Sequence, residues 1–381
     1  MQFSEIIGHN ETKRALIRAV QTNHLAHAQL FDGPPGSANL ALALAFATFV
    51  NCEDRQEGPD DLADSCGRCA SCIKMQKLVH PDLSIVFPVA GSKVTSETLM
   101  ADFRKFVLQH PYRVLDEWLA AVGIKQGNIP VEEARELMGK LSLKAYEGAY
   151  KIVLIWCAEN LHTATANALL KLLEEPPAQT LFLLVTNQAD KLLITILSRT
   201  QRVAVQAFSD EEVTTHLRQH LNLPEKRARQ LAYLADGNLS EAIRLSEEEP
   251  EKNEGDPASD RHGWFAEWMR LCYRQDLIAL VKQADVFDAL GKEKQRGLLD
   301  YSMSLCRDLF LWKHGVNDLL RLPDEERTFV ENFSKVLTSE HLENMVGQLN
   351  DAVFHIERNV RAKMVMMDLS LSFSSLIRNG K

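Results

Sequence analysis

The chain has 381 residues, with 43 Lys and Arg against 52 Asp and Glu, a net charge of −9. That length predicts two or three domains with a core that needs no covalent staples, and the acidic balance argues against a free-standing binder of nucleic acid, which must neutralise phosphates. The longest apolar run, residues 40–50, still contains Thr48 and is too short for a bilayer, and MQFSEIIGHN has no basic segment ahead of an apolar one, so neither membrane insertion nor a signal peptide is expected.

Taken in chain order, residues 27–32 (HAQLFD) predict a short buried strand, Gly33-Pro34-Pro35-Gly36 a loop, and residues 40–50 a buried helix. A cysteine-rich stretch over 52–72 follows. Residues of about 90–127, with helical patches at 97–108 and 114–122, read as an insertion, because so long a connection inside a compact domain needs structure of its own. KIVLIW (151–156) suits a central strand. ATANALLKLLEE (164–175) suits a helix, which Pro176-Pro177 stops. TLFLLVT (180–186) and RVAVQ (202–206) complete the strand signals. Strands alternating with helices predict an α/β domain over 1–206, a parallel sheet with helices on both faces.

Ser209 with Glu212 has the form of a capping box. It opens a small helical domain over 207–248, with further helices near 225–235 and 239–248 on either side of Gly237. The stretch EEEPEKNEGDPASD (247–260) holds seven acids and one Lys. It buries too little apolar surface to order itself, so a linker is expected over 249–260. From residue 261 the spacing of Trp264, Phe265, Trp268, Met269 and Leu271 is near helical, and an all-α domain is expected over 261–381.

The loop at residue 33 sits where a phosphate-binding loop would sit. The working motif, G-x-x-x-x-G-K-[ST], cradles phosphates on backbone amides, reaches them with Lys, and holds Mg²⁺ with a hydroxyl. Here Gly33 and Gly36 are present, but the motif's second Gly is Ala38, its Lys is Asn39 and its hydroxyl residue is Leu40. The segment reads either as an ordinary strand-to-helix turn or as a decayed nucleotide site. KIVLIW ends in Trp156 and Cys157, where such an ATPase needs an Asp for Mg²⁺. The nearest carboxylate is Glu159, two or three positions late, so hydrolysis and productive ATP binding by this chain are not expected.

Cys52-x₁₃-Cys66-x₂-Cys69-x₂-Cys72 offers four soft ligands within a short reach. A full set of four with no open position suits tetrahedral, structural Zn²⁺. An iron–sulfur cluster also uses four cysteines, and buried unligated thiols are the remaining alternative. Cys157, Cys272 and Cys306 read as core thiols. His24, His27 and His80 read as capping or core-satisfying histidines, since the cysteines already supply four ligands.

FSEIIGHNETKRAL, HAQLFDGPPGS, the cysteine knuckle followed by His80-Pro81-Asp82, LSLKAYEGAYKIVLI, NALLKLLEEPP and TILSRTQ occur in that order. Together they resemble the delta-prime subunits of the bacterial DNA polymerase III clamp loader, an AAA+ family, over about residues 1–250. NALLKLLEEPP followed by LSRT is the most distinctive part. The resemblance implies an AAA+ core, a small helical lid and a C-terminal collar that oligomerises. It implies a cytoplasmic machine that opens a ring-shaped sliding clamp and places it on primed DNA, with gamma/tau-type motor subunits and a delta subunit as partners.

Within that machine it implies a rigid stator without ATPase activity, which lends an arginine to its neighbour's ATP. The family's Ser-Arg-Cys motif reads Ser198-Arg199-Thr200 here, so the arginine is kept and Thr200 replaces Cys. Motor subunits of the family carry Gly-Ser-x-Arg in the helical unit. The matching residues are Gly237, Asn238, Leu239 and Ser240, so that arginine is absent. The 90–127 insertion has no counterpart in the commonest members. Without the resemblance, Arg199 reads as a surface charge or an ion-pair partner. Two other readings are an active AAA+ ATPase of replication or repair with an atypical loop, and a zinc-knuckle nucleic-acid-binding protein.

Overall fold

The structure, a computed structural model, describes residues 1–58, 62–91, 94–247, 260–316, 320 and 324–379. It divides into two compact units, Met1–Ser246 and Glu247–Lys381. The linker expected at 249–260 lies outside the described residues apart from Asp260.

The first unit runs α1 (Asn10–Gln21), β1 (Ala28–Asp32), α2 (Asn39–Val50), the hairpin β2 (Gln56–Glu57) and β3 (Ala63–Asp64), α3 (Ala70–Gln76) and β4 (Leu83–Val86). It continues with α4 (Ser96–Gln109), α5 (Leu115–Ala121), α6 (Val131–Leu141), β5 (Lys151–Trp156), α7 (Thr163–Glu174), β6 (Thr180–Thr186), α8 (Ile194–Leu197) and β7 (Gln201–Ala204). Five strands form one sheet in the order β4-β5-β6-β1-β7, and every pairing in it is parallel. The register is fixed by contacts such as Ala28 with Phe182 and Leu83 with Ile152.

Alternation along the strands divides the core into two layers. Phe31, Ile152, Leu154, Trp156, Leu181 and Leu183 face α2 and the N-terminal elements. Leu30, Val153, Ile155, Phe182 and Leu184 face α6, α7 and α8. Helix α2 is buried at every residue, as a helix with apolar residues on all its faces must be. Lys151 is buried at the start of β5, and its Nζ donates to the carbonyls of Lys140 (2.9 Å) and Leu141 (3.3 Å) at the end of α6. The exposed carbonyls of a helix C-terminus are the natural partner of such a charge. The last strand ends at Ala204, short of the expected 206, although Val205 N still donates to Asp32 O.

The stretch read as an insertion is folded over its described residues 94–127. Its helices α4 and α5 contribute Phe103, Phe106 and Trp118, which gather around Phe87 and Trp156 with ring centroids 4.0–6.2 Å apart. Trp118 is fully buried, and its Nε1 donates to Pro88 O at 2.9 Å.

Three further helices, α9 (Asp210–Leu221), α10 (Glu225–Ala235) and α11 (Leu239–Glu247), close the unit. The capping box at Ser209 and Glu212 is formed. His216 of α9 lies across Tyr112 at 5.6 Å, and His110 faces it. Burial, then the charges of Arg113 and His216, hold His110 down to about 4. Burial and His220 hold His216 down to about 4. Both folded values lie below the ordinary 6.5, so the unfolded chain takes up these protons first. Stability is therefore complete above pH 6.5 and falls toward pH 4, by on the order of 1 kcal/mol per pH unit for each ring. Thermal melts between pH 7 and pH 5 should show that fall, and His216→Phe, which keeps a ring against Tyr112, should flatten it.

The second unit is all-α among its described residues: α12 (Arg261–Arg274), α13 (Leu277–Ala289), α14 (Lys292–Lys313), α15 (Asp324–Phe333), α16 (Ser339–Glu357) and α17 (Ala362–Asn379). Asp260 caps α12 by accepting from Gly263 N at 2.8 Å. The fully buried Trp268 packs on Phe373 of α17 and donates to Ser370 Oγ at 2.9 Å. Among the described residues, no helix is long and apolar enough to cross a membrane.

Candidate functional site

Residues 33–38 leave β1 at the carboxyl edge of the sheet, where parallel α/β sheets place their ligands. Gly36 has φ +70°, and a Cβ there would lie 1.7 Å from Asn238 Oδ1. The amide of Leu239, the first residue of α11, donates to Gly36 O at 3.1 Å. The loop is thus covered by the start of α11. Asn39, at the position of the motif's lysine, is buried. Its Nδ2 donates to Thr186 O at 3.1 Å, and its Oδ1 accepts from Leu40 N at 2.8 Å. Leu40 and Ala38 are buried in the core. The Ser37 hydroxyl is buried and finds no partner among the described residues.

The adjoining strand ends are tied together. Glu159 accepts from Thr186 Oγ1 at 2.7 Å and from Asn187 N at 3.3 Å, and Asn187 Nδ2 donates to Gly33 O at 2.8 Å. Cys157, directly after β5, is fully buried and has φ +55°. Burial pushes its thiol well up, with Glu159 and Asp116 adding to the effect. The loop therefore presents an amide and a leucine where phosphate and Mg²⁺ chemistry needs a cation and a hydroxyl. Sequence reasoning passed over Asn187, and it noted Asn238 only as part of a missing motif. Neither stands near residue 33 in the chain, and only folding brings them to it.

Arg199 lies in the turn between α8 and β7. Its Nη2 pairs with Glu174 Oε1 at 2.6 Å, and its Nη1 donates to Thr195 O at 3.0 Å and to Ser198 Oγ at 3.3 Å. The side chain is 34% exposed and that of Glu174 is 50% exposed. The guanidinium is thus at the surface and held by a surface carboxylate, a pairing worth about 1 kcal/mol or less. Glu174 belongs to NALLKLLEEPP, so the two distinctive segments meet here. Thr200 Oγ1 donates to Ile196 O (3.1 Å) and Leu197 O (3.3 Å), which satisfies the hydroxyl at the position of the family's Cys. A cleft of about 550 Å³ opens beside the turn, lined by Asp32, Asn187, Thr200 and Arg202 among others, with Arg202 paired to Asp32 at 2.5 Å.

The four cysteines converge. Their Sγ atoms all lie within 4.8 Å of one another. Tetrahedral zinc thiolates need sulfurs about 3.8 Å apart, given Zn–S bonds near 2.3 Å, so the group fits a metal ion with a small contraction. Backbone amides of Cys66, Cys69 and Cys72 donate to the sulfurs of Cys52 (3.3 Å), Cys66 (3.3 Å) and Cys69 (3.4 Å) in turn. At Cys66 slight burial works upward, but the amides of Arg68 and Cys69 and the neighbouring sulfurs outweigh it and bring the thiol down to about 7. Such amide donors stabilise thiolates, the form that binds metal. Cys157, Cys272 and Cys306 are buried elsewhere. His24 and His27 bond backbone carbonyls, and the buried His80 accepts from Asp82 N at 3.1 Å.

A parallel sheet in this order, entering a buried helix through the loop after β1 and carrying a three-helix segment against that loop, defines an AAA+ type core. The family described as "DNA polymerase III, delta subunit" matches residues 8–209, and the chain belongs to it. The delta′ subunit of DNA polymerase III from Yersinia pestis is 29% identical over 381 residues, covering 97% of this chain and 96% of the relative. The delta′ subunit from Escherichia coli (strain K12) is 27% identical over 374 residues, covering 96% and 94%. The tau subunit of the same organism is 28% identical over 251 residues, covering 65% of this chain and 32% of that protein.

Proposed function

We propose that this chain is a delta-prime-like stator of a bacterial clamp loader, with no ATP hydrolysis of its own. In this reading it joins tau/gamma-type motor subunits and a delta subunit in the cytoplasm. It helps them load a sliding clamp on primed DNA, which it meets only within the complex. It offers Arg199, beside Ser198, to ATP held by an adjacent motor, and its knuckle cysteines hold a structural zinc ion. The AAA+ core would span 1–206, the lid 207–248 and the oligomerising collar 261–381.

The observation that carries the reading is the covered loop. Asn238 and Leu239 sit on Gly36, and Asn39 spends its amide on Thr186. Likeness to delta-prime subunits along nearly the whole chain supports the assembly. The test is a calorimetric titration of the purified chain with ATP, with and without Mg²⁺. No binding in the micromolar range is expected, and no phosphate release above background. Magnesium-dependent micromolar binding would instead favour an active AAA+ ATPase, and phosphate release would identify one.

A further inference from the structure

The inserted arm, residues 96–122, reaches from the sheet to the three-helix segment. Its root is apolar: Phe103 and Phe106 pack on Trp156, at the end of β5, with centroids 5.5 and 6.2 Å away. Its tip is mixed. Tyr112, 3% exposed, stands edge-on to Phe208 at 5.5 Å and to His216 of α9. Glu117 of α5 accepts from Ser240 Oγ of α11 at 2.5 Å and from Arg113 Nη1 at 2.9 Å. Arg113 is itself fixed, lying over the Phe106 ring at 4.9 Å and donating to Gln109.

Two of these contacts fall on positions where the stator reading finds nucleotide chemistry missing. Trp156 stands where the strand would end toward a metal-binding Asp, and Ser240 where a nucleotide-sensing arginine would stand. A ligand bound between two segments couples them only while the site is filled, because its stabilisation follows its occupancy. Here one continuous piece of the chain touches both sides, through an aromatic cluster at one end and a charge-assisted hydrogen bond at the other.

We infer that residues 96–122 form an internal brace that fixes α9–α11 against the sheet, taking over the bridging role of a bound ligand. This deepens the stator reading, since a segment held by its own chain keeps one setting whether or not ATP is present.

Hydrogen exchange on the full-length chain tests it. In Tyr112→Ala/Glu117→Ala, amides of α9–α11 and of residues 33–40 should exchange about tenfold faster or more, as local opening free energy falls. Amides of β5, β6 and the second unit should stay as they are. Ser240→Ala removes a single hydroxyl and should act at the same sites, by roughly three- to tenfold, the effect of one lost hydrogen bond to a charged group. Unchanged exchange in α9–α11 in Ser240→Ala, or acceleration spread evenly over the first unit in either variant, overturns the brace. The stator reading fails on a different measurement, magnesium-dependent ATP binding by the unaltered chain, so the two failures are separable.

Discussion

Arg199→Ala, in a loader reconstituted with its motor and delta subunits, is expected to lower DNA-stimulated ATP hydrolysis at the site this chain faces by about 10³-fold or more, the range of known arginine fingers. Bulk turnover then falls by that site's share. The physical reason is differential: a guanidinium touching the γ-phosphate from outside stabilises charge that develops only in the transition state. The stator reading has Arg199 offered in this way, and its present hold is weak. Its partner Glu174 is half exposed, and exchanging a surface carboxylate for a phosphate costs little. Glu174→Ala should therefore keep the complex active, and neither change should move the stability of the isolated chain by more than about 1 kcal/mol. Arg199→Lys should not restore the rate, because an ammonium lacks the planar fork. A variant complex with Arg199→Ala that hydrolyses ATP at the unaltered rate would remove the trans role.

The second large effect is expected from the knuckle. Metal analysis of the purified chain should find about one zinc per chain, since four thiolates close a structural site. Chelation or Cys69→Ser should destabilise the first unit by about 3 kcal/mol and lower its melting temperature by roughly 10 °C. The loss should start locally. Cys69 is the N-cap of α3, and Cys52 closely follows the end of α2. Asp64, beside the second ligand, accepts from the amides of Phe3 (3.0 Å) and Ser4 (2.9 Å), so the first residues of the chain are tied to the same knuckle. Exchange should therefore rise first in residues 1–8 and 62–78. An iron-coloured preparation would replace zinc with a cluster.

Much of the first unit was legible because its signals are local. KIVLIW and TLFLLVT are β-rich runs buried at every residue, and the double proline ends α7 where expected. The cysteine spacing announced the convergence of the sulfurs. Other elements gave weak signals. Strand β4 has only four residues, half of them partly exposed. Helix α1 is different: Lys13, Leu16 and Ile17 are buried at helical spacing, so its signal was present and was passed over. Helix α6 was also passed over, although Ala134, Leu137 and Leu141 are buried at helical spacing; what the sequence did not announce is the buried Glu133, whose carboxylate accepts from Ser96 Oγ. The covered loop was half legible. The sequence announced the missing lysine and hydroxyl, whereas the contact of Asn238 with Gly36 and of Glu117 with Ser240 depends on pairings between residues far apart in the chain. The tie between Arg199 and Glu174 is of the same kind, and no spacing rule forecasts it.

The buried helix α2 has a consequence for how the protein is made. It follows β1 directly, yet β1 pairs with β6 and β7 through residues such as Phe182 and Gln201. A ribosome releases these partners long after it has released residues 39–50. At ordinary elongation rates the nascent chain would carry a predominantly apolar helix without its cover for on the order of ten seconds. Non-local strand pairing of this kind folds slowly once it is possible. The same burial that anchors the finished core thus makes the unfinished one sticky, and its biosynthesis is expected to depend on chaperones that shield that helix until the last strand emerges.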